Sequence, residues 1–207
     1  MRKSPRDRRL QSDFKAIQAL ANESSIFSFS GVGNPPERYR LYFKGAGFCK
    51  RADGYIIARD EHEIVIDLGA AYPRMIPNLA WQTPIFHPNI SNNGVVCLGG
   101  YGTHWVPSLT LDELCTMLWE MIRYKNFDTE SPYNREAAAW AKTQTTFKFP
   151  IDPRPIRNLI GEGQVEPPAI TLGERVDSNG AVSDDVIETG IEIIERPKVQ
   201  DDIIFFD

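Results

Sequence analysis

The first apolar positions of the chain recur at helical spacing. Ser4 is a suitable N-terminal cap, Pro5 is tolerated in a first helical turn, and Asp7 favours the same end of a helix. One apolar stripe follows, formed by Leu10, Phe14, Ile17 and Ala21. The pattern predicts an amphipathic N-terminal helix with a basic opposite face that carries Arg2, Lys3, Arg6, Arg8, Arg9 and Lys15.

Beyond this helix the hydrophobic period changes to two. A short strand is predicted at residues 26–29 and a half-buried strand at 38–44, where apolar and polar side chains alternate. Asp53 and Gly54 form a turn dipeptide, and residues 64–68 supply a further strand. The pattern predicts an α+β fold in which an antiparallel meander of about four strands follows the N-terminal helix.

Residues 72–108 lack periodicity and are rich in proline and glycine. The segment holds too many apolar side chains for a disordered linker, so we expect an ordered, irregular loop. Two helices are predicted after it. Thr110 and Glu113 have the spacing of a capping box and open a helix to about residue 124, and a second helix is predicted at about 132–146.

Charge divides the chain into two parts. The whole chain has a formal net charge of -5, but from Pro150 onward 13 Asp/Glu stand against 5 Lys/Arg. We therefore expect a mildly basic core domain at residues 1–149 and an acidic, proline-containing tail at 150–207. The tail has two interpretations: a disordered, solubilising segment, or one that docks on the basic core or on a partner.

Composition argues against several classes of protein. The acidic balance argues against nucleic-acid binding, and no apolar run approaches the roughly 18 residues that span a bilayer. No apolar stretch of a signal peptide follows the charged N-terminus. The three cysteines are too few for a disulfide framework. We expect a cytoplasmic protein that binds neither nucleic acid nor membranes.

Cys97 has the surroundings of a reactive thiol. It lies in the irregular loop among glycines, ten residues after His87, whereas Cys49 and Cys115 lie among aliphatic residues that predict burial. Residue type alone leaves an incidental exposed thiol as the alternative.

Five short motifs occur in order around this cysteine. They are Tyr-Pro at 72–73, His-Pro-Asn-Ile at 87–90, Cys-Leu at 97–98, Trp-Val-Pro-Ser at 105–108 and Ser-Pro-Tyr-Asn at 131–134. In this order, and with eight residues from Cys97 to Trp105, they resemble the active-site region of ubiquitin-conjugating (E2) enzymes. The resemblance covers about residues 5–148 and implies a UBC-like fold.

The resemblance also implies a reaction, transthiolation. Cys97 would accept the C-terminal glycyl group of a ubiquitin-like protein from an E1-type activating enzyme, and would pass it to an amine (lysine) of a target. Asn89 would stabilise the oxyanion or brace the loop, two roles that stay open. Ser131 stands where family members orient the incoming lysine. Loop support is implied for His87, Pro88, Trp105 and Pro107, and neither a cofactor nor a metal is implied.

The basic first helix gains a role from the same resemblance. In the family this helix docks on the activating enzyme, so Arg6, Arg8 and Arg9 are the expected contacts. Two departures from the family pattern are Arg74, where an aromatic often contacts ligases, and prolines where a final helix would stand. They favour a divergent member, such as one from a bacterial ubiquitin-like conjugation operon.

Three alternatives compete with the conjugating enzyme. One is an inactive E2 variant that binds a ubiquitin-like protein, although such variants lack the cysteine. Another is a thiol protease that pairs Cys97 with His87 or His104, for which no oxyanion motif is found. The last is a zinc site formed by His87, Cys97, His104 and Cys115. These residues lack the close pairs of ligands, a few residues apart, that are typical of zinc sites.

Overall fold

The computed structural model describes residues 4–98 and 105–159. Helix α1 spans Pro5–Asn22 and begins with the predicted cap. The Ser4 hydroxyl accepts a hydrogen bond from the N–H of Asp7 (3.0 Å), and the Asp7 carboxylate accepts one from the N–H of Ser4 (3.1 Å). The buried stripe is rotated slightly from the predicted one, since Phe14 and Ala21 are only half-buried and the buried positions are Leu10, Asp13, Ile17 and Leu20.

The predicted meander is confirmed as a four-stranded antiparallel sheet in the order β1-β2-β3-β4. Its strands are β1 (Phe27–Gly33), β2 (Pro36–Lys50), β3 (Ile56–Asp67) and β4 (Asn78–Trp81). The turn between β2 and β3 contains Gly54 at φ +90°, as the Asp-Gly dipeptide predicts. Strand β4 lies inside the segment predicted to be irregular. The sequence pattern did not predict it, because its four residues are too few to show a period.

Two helices follow, α2 (Leu111–Ile122) and α3 (Arg135–Thr143). The Glu113 carboxylate accepts a hydrogen bond from the N–H of Thr110 (2.7 Å), as the spacing of these residues predicts. Helix α3 begins later than predicted, because Asn134 is its cap. The side-chain oxygen of Asn134 accepts a hydrogen bond from the N–H of Ala137 (3.0 Å).

The core consists of two apolar clusters. In the larger one, α1 and α2 contact each other and the sheet, with Leu20, Phe43 and Trp119 almost fully buried. The smaller cluster is aromatic and joins Phe48 of β2 to Tyr124 and to α3. None of the helices in the described ranges is long and apolar enough to cross a membrane.

Residues 150–159, here called the C-terminal strap, pack against α1 and α2. Ile156 is 3% exposed, and Arg157 pairs with both Glu23 and Asp112. The N–H of Leu159 donates to the carbonyl of Glu23 (3.1 Å). The first ten residues of the predicted tail are therefore docked. Residues from 160 onward, which form most of the predicted tail, lie outside the described ranges. The division into a core domain at 1–149 and a tail at 150–207 therefore stays a prediction.

A buried carboxylate joins α1 to the start of α2. Asp13 is 1% exposed and accepts hydrogen bonds from the Tyr72 hydroxyl (2.6 Å) and the N–H of Leu111 (3.2 Å). Arg9, one turn earlier on α1, pairs with the same carboxylate at 2.7 Å. A buried charge is tolerated when it is paired and hydrogen-bonded, and Asp13 meets both conditions.

Arg9→Ala is expected to lower the free energy of unfolding by about 3 kcal/mol, because it leaves the Asp13 carboxylate buried without its cation. Urea unfolding of the variant measures this loss. The matched control is Arg8→Ala, whose side chain is exposed and whose removal should change stability by less than about 0.5 kcal/mol. Similar values for the two variants would contradict a stabilising role for the buried pair.

Candidate active site

The cysteine loop, residues 86–98, starts on the aromatic cluster. Phe48 contacts Tyr124 and Phe147 with ring centroids 5.2 and 4.7 Å apart. The N–H of Phe86 donates to the carbonyl of Phe48 (2.8 Å), and the Tyr124 hydroxyl donates to the carbonyl of Phe86 (2.5 Å). Both bonds are buried, so they fix the start of the loop to the sheet and to the end of α2.

His87 is fully buried beneath this loop. Its Nδ1 accepts a hydrogen bond from the N–H of Asn89 (3.1 Å), and its ring lies edge-on to Tyr124 at 4.9 Å. Burial lowers the pKa of His87 to about 3, with the Asn126 carbonyl acting weakly in the opposite direction. A neutral, solvent-excluded ring suits loop support and argues against the protease alternative, for which the other histidine, His104, lies outside the described ranges.

A second loop, residues 128–134, is fastened to the cysteine loop. The Pro88 carbonyl accepts hydrogen bonds from the N–H groups of Tyr133 and the next residue, both at 2.9 Å. The Asn89 side-chain oxygen accepts from the N–H of Asp128 (2.7 Å), and its NH₂ donates to the carbonyl of Asp128 (3.1 Å). Of the two roles considered for Asn89, these bonds support bracing.

Cys97 lies near the end of the cysteine loop and is half-buried. Its N–H donates to the carbonyl of Asn89 (2.9 Å), which fixes the backbone that carries the thiol. Gly94 has φ +80°, and a Cβ there would lie 2.3 Å from the Trp81 carbonyl oxygen. Glycine is therefore required at this position, three residues before the half-buried Cys97. The other two cysteines, Cys49 and Cys115, are buried as predicted.

Ser131 is exposed on the second loop. Its N–H lies 3.4 Å from the side-chain oxygen of Asp128, which also accepts a hydrogen bond from the N–H of Glu130 (2.7 Å). The backbone of Asp128 is in turn held by Asn89. Asn89 thus positions the segment that carries Ser131, and the role of Ser131 toward an incoming amine stays a prediction.

Tyr133 is a site residue that the sequence reasoning missed. The residue is 53% exposed, and its N–H donates to the carbonyl of Pro88 (2.9 Å). The neighbouring Cys97 side chain raises the pKa of the Tyr133 phenol. The only signal in the sequence is the position of Tyr133 within the Ser-Pro-Tyr-Asn motif.

Trp105 and Pro107 lie beyond the undescribed residues 99–104. The indole N–H of Trp105 donates to the carbonyl of Pro73 (3.0 Å), and its ring lies 5.6 Å from that of Tyr72. The Pro107 carbonyl accepts a hydrogen bond from the Arg9 guanidinium. Both residues thus fix the segment before α2 to the Tyr-Pro turn and to α1.

The three arginines predicted to contact an activating enzyme differ in their surroundings. Arg6 pairs with Glu37 at 2.7 Å, and Arg9 is occupied by Asp13 and Pro107. Arg8 is exposed on α1. The structure therefore gives Arg6 and Arg9 intramolecular roles and leaves Arg8 available to a partner.

Within residues 4–98 and 105–159, no three His, Cys, Asp or Glu side chains are grouped so that they could hold a metal ion. Two residues of the zinc alternative are fully buried in different places: Cys115 lies in the larger core cluster, and His87 packs against the ring of Tyr124.

Two comparisons with known proteins concern the part of the chain that contains this site. Residues 50–151 match the family model described as ubiquitin-conjugating enzyme. A relative from Schizosaccharomyces pombe, ubiquitin-conjugating enzyme E2 16, is 33% identical over 102 residues, which are 49% of this chain and 62% of the relative. The chain thus spans about three-fifths of the length of this relative. The predicted bacterial lineage is not tested by this match.

Proposed function

We propose that Cys97 carries a ubiquitin-like protein as a thioester, because residues 50–151, which contain it, match the family model described as ubiquitin-conjugating enzyme. The observation that carries the proposal is a half-buried thiol on a loop fixed from both sides. The N–H of Cys97 is bonded to the carbonyl of Asn89, while the side chain of Asn89 holds the facing loop. Such a thiol is accessible and rigidly placed, as acyl transfer requires.

The reaction has two acyl transfers at one sulfur. In the first, the Cys97 thiolate attacks the thioester of an E1-like activating enzyme and releases the thiolate of that enzyme. In the second, an amine of a target attacks the new thioester and gives its surplus proton to water, while the carbon–sulfur bond breaks and the Cys97 thiolate leaves. Sulfur suits both steps, since a thiolate is a strong nucleophile and also a good leaving group.

The other site residues act by positioning in this proposal. Asn89 holds Asp128 and through it the segment of Ser131, on which the incoming amine would be oriented. Arg8 is the residue of the basic helix that we assign to the activating enzyme, since a partner surface of opposite charge would speed the encounter. We also infer a cytoplasmic location, where unpaired cysteines stay reduced.

A charging assay tests the proposal. The chain is incubated with candidate activating enzymes, ubiquitin or ubiquitin-like proteins, and ATP, and is then run on gels with and without a thiol reductant. We expect an adduct that reductant removes from the unaltered chain and that Cys97→Ala abolishes. Cys97→Ser should give an ester that resists reductant.

Cys49→Ala is the matched control, because this buried thiol should leave charging unchanged. The absence of an adduct with an activating enzyme that charges another E2 in the same tube would contradict the proposal. That outcome would favour the alternative, an inactive E2 variant that binds a ubiquitin-like protein without forming a thioester.

A further inference from the structure

Asn134 contacts the cysteine loop at two points. Its N–H donates to the carbonyl of Pro88 (2.9 Å), near the start of the loop. Its side-chain NH₂ donates to the side-chain oxygen of Asn92 (2.9 Å), further along the same loop. The N–H of Cys97 is bonded to the carbonyl of Asn89 (2.9 Å), which is the residue after Pro88. Asn134 is thus attached to the same short segment that holds the backbone of the thiol.

The side-chain amide of Asn134 uses both of its ends. Its oxygen accepts a hydrogen bond from the N–H of Ala137 (3.0 Å) and so caps α3, which leaves the NH₂ group for Asn92. Asn134 is 6% exposed, so the loss of either bond would leave an almost buried polar group without its partner. One amide therefore joins the start of α3 to the cysteine loop.

The second loop, residues 128–134, is fastened to the cysteine loop at both of its ends. The Asn89 side chain holds the first end through two bonds to the backbone of Asp128 (2.7 and 3.1 Å). Asn134 holds the other end, and the exposed Ser131 lies between the two anchors. A segment fixed at both ends keeps its side chains at a constant distance from the thiol, as an oriented attack requires.

We propose that Asn134 is a positioning residue for the second transfer, in which an amine attacks the thioester. The inference rests on the proposed thioester function and adds a residue to it. Asn134 acts through the segment of Ser131, whose place relative to Cys97 it fixes, and it exchanges no proton. Charging by an activating enzyme and attack by water need no oriented amine, so Asn134 should affect neither of them.

Two single variants separate the bond to Asn92 from the cap of α3. Asn134→Ser keeps a side-chain oxygen that caps helices about as well as asparagine does, but its side chain is too short to reach Asn92. Asn92→Ala removes the same bond from the other side and leaves Asn134 in place to cap the helix. The matched control is Asn22→Ala, which alters an exposed asparagine of α1.

The first test needs no activating enzyme. Amide hydrogen exchange of the full chain, followed by NMR, measures the opening of the N–H groups of Asp128 and Tyr133, both of which are bonded to the cysteine loop. In Asn92→Ala their exchange should become about fivefold faster, because opening of the second loop no longer breaks the bond to Asn134. Asn22→Ala should leave these exchange rates unchanged.

The second test compares two fates of a preformed thioester, transfer to free lysine and hydrolysis by water. Asn134→Ser and Asn92→Ala should each slow transfer to lysine about fivefold and leave hydrolysis unchanged. The double variant should be no slower than either single variant, since all three lack the same bond. Asn22→Ala should match the unaltered chain in both reactions.

Unchanged transfer to lysine in both single variants would overturn the proposal. A change of hydrolysis by the same factor as transfer would also overturn it, since the variants would then disturb the site as a whole. Losses that add in the double variant would show that the two asparagines act separately, with the same consequence. Failure of the unaltered chain to form any thioester would instead overturn the proposed function, and the exchange rates would then still show whether Asn134 anchors the second loop.

Discussion

A chain that ends at residue 149 is expected to unfold about 10 °C below one that ends at residue 159. The ten residues between these ends are the C-terminal strap, and their removal uncovers one side of α2. Ile156 loses its burial, which costs roughly 2–3 kcal/mol. The indole N–H of Trp119 loses the carbonyl of Arg154 (2.9 Å). The combined loss is on the order of 4 kcal/mol.

Arg123 adds to this loss. It is 4% exposed, and one of its nitrogens donates to the carbonyls of Asp152 and Arg154, both at 3.0 Å. The shorter chain leaves it only the ion pair with Glu120 at 2.9 Å. Water then reaches the guanidinium, so the cost is smaller than for a cation that stays buried without acceptors.

Thermal melts of the two truncated chains, followed by circular dichroism, measure the difference. In the full chain, Ile156→Ala should lower the free energy of unfolding by about 2–4 kcal/mol, which is much of the loss expected on truncation. Leu159→Ala is the control, since this side chain is 59% exposed and should matter little. Equal midpoints for the two truncated chains would show that the strap contributes no stability.

Acidification from pH 7 to pH 5 is expected to remove about 4 kcal/mol of stability through two buried histidines. Burial lowers the pKa of His62 to about 4 and that of His87 to about 3. Below pH 6.5 the unfolded chain binds a proton at each histidine while the folded chain does not. The stabilisation is therefore present at neutral pH and is lost as the pH falls from about 6.5 toward these lowered values, at about 2 kcal/mol per residue by pH 5.

Urea unfolding at pH 7 and pH 5 tests this dependence. His62→Gln removes one titrating group. In this variant, the free energy of unfolding should fall between pH 7 and pH 5 by only about half as much as in the unaltered chain. The comparison of the variant with the unaltered chain cancels the contribution of the carboxylates. An identical drop in His62→Gln would show that this histidine is not kept neutral by burial.

Local signals in the sequence predicted most of the fold. The helix caps at Ser4 and at Thr110 with Glu113 were found because a cap involves residues only three apart. The strands were found because alternation reports burial on one face. Asp13 was missed, since two of the groups that stabilise its buried carboxylate, Tyr72 and Leu111, lie 59 and 98 residues further along the chain.

The candidate site was predicted in part. Motif order and spacing located Cys97 and Asn89 but could not give the partner of the Asn89 amide, the backbone of Asp128, which lies 39 residues away. The strap was not recognised as docked because proline and acidic residues are typical of linkers. Many of its contacts use backbone carbonyls, such as that of Arg154, which composition does not report.

The docking of the strap also sets the order of events during synthesis. Residues 157–159 of the strap contact Glu23 and Ser25 at the end of α1, and these contacts span more than 130 residues of chain. At about 5–20 residues per second, the end of α1 waits roughly 7–27 s on the ribosome for its partner. Trp119 is made 35 residues before Arg154, whose carbonyl accepts its indole N–H, so its surface stays uncovered for roughly 2–7 s.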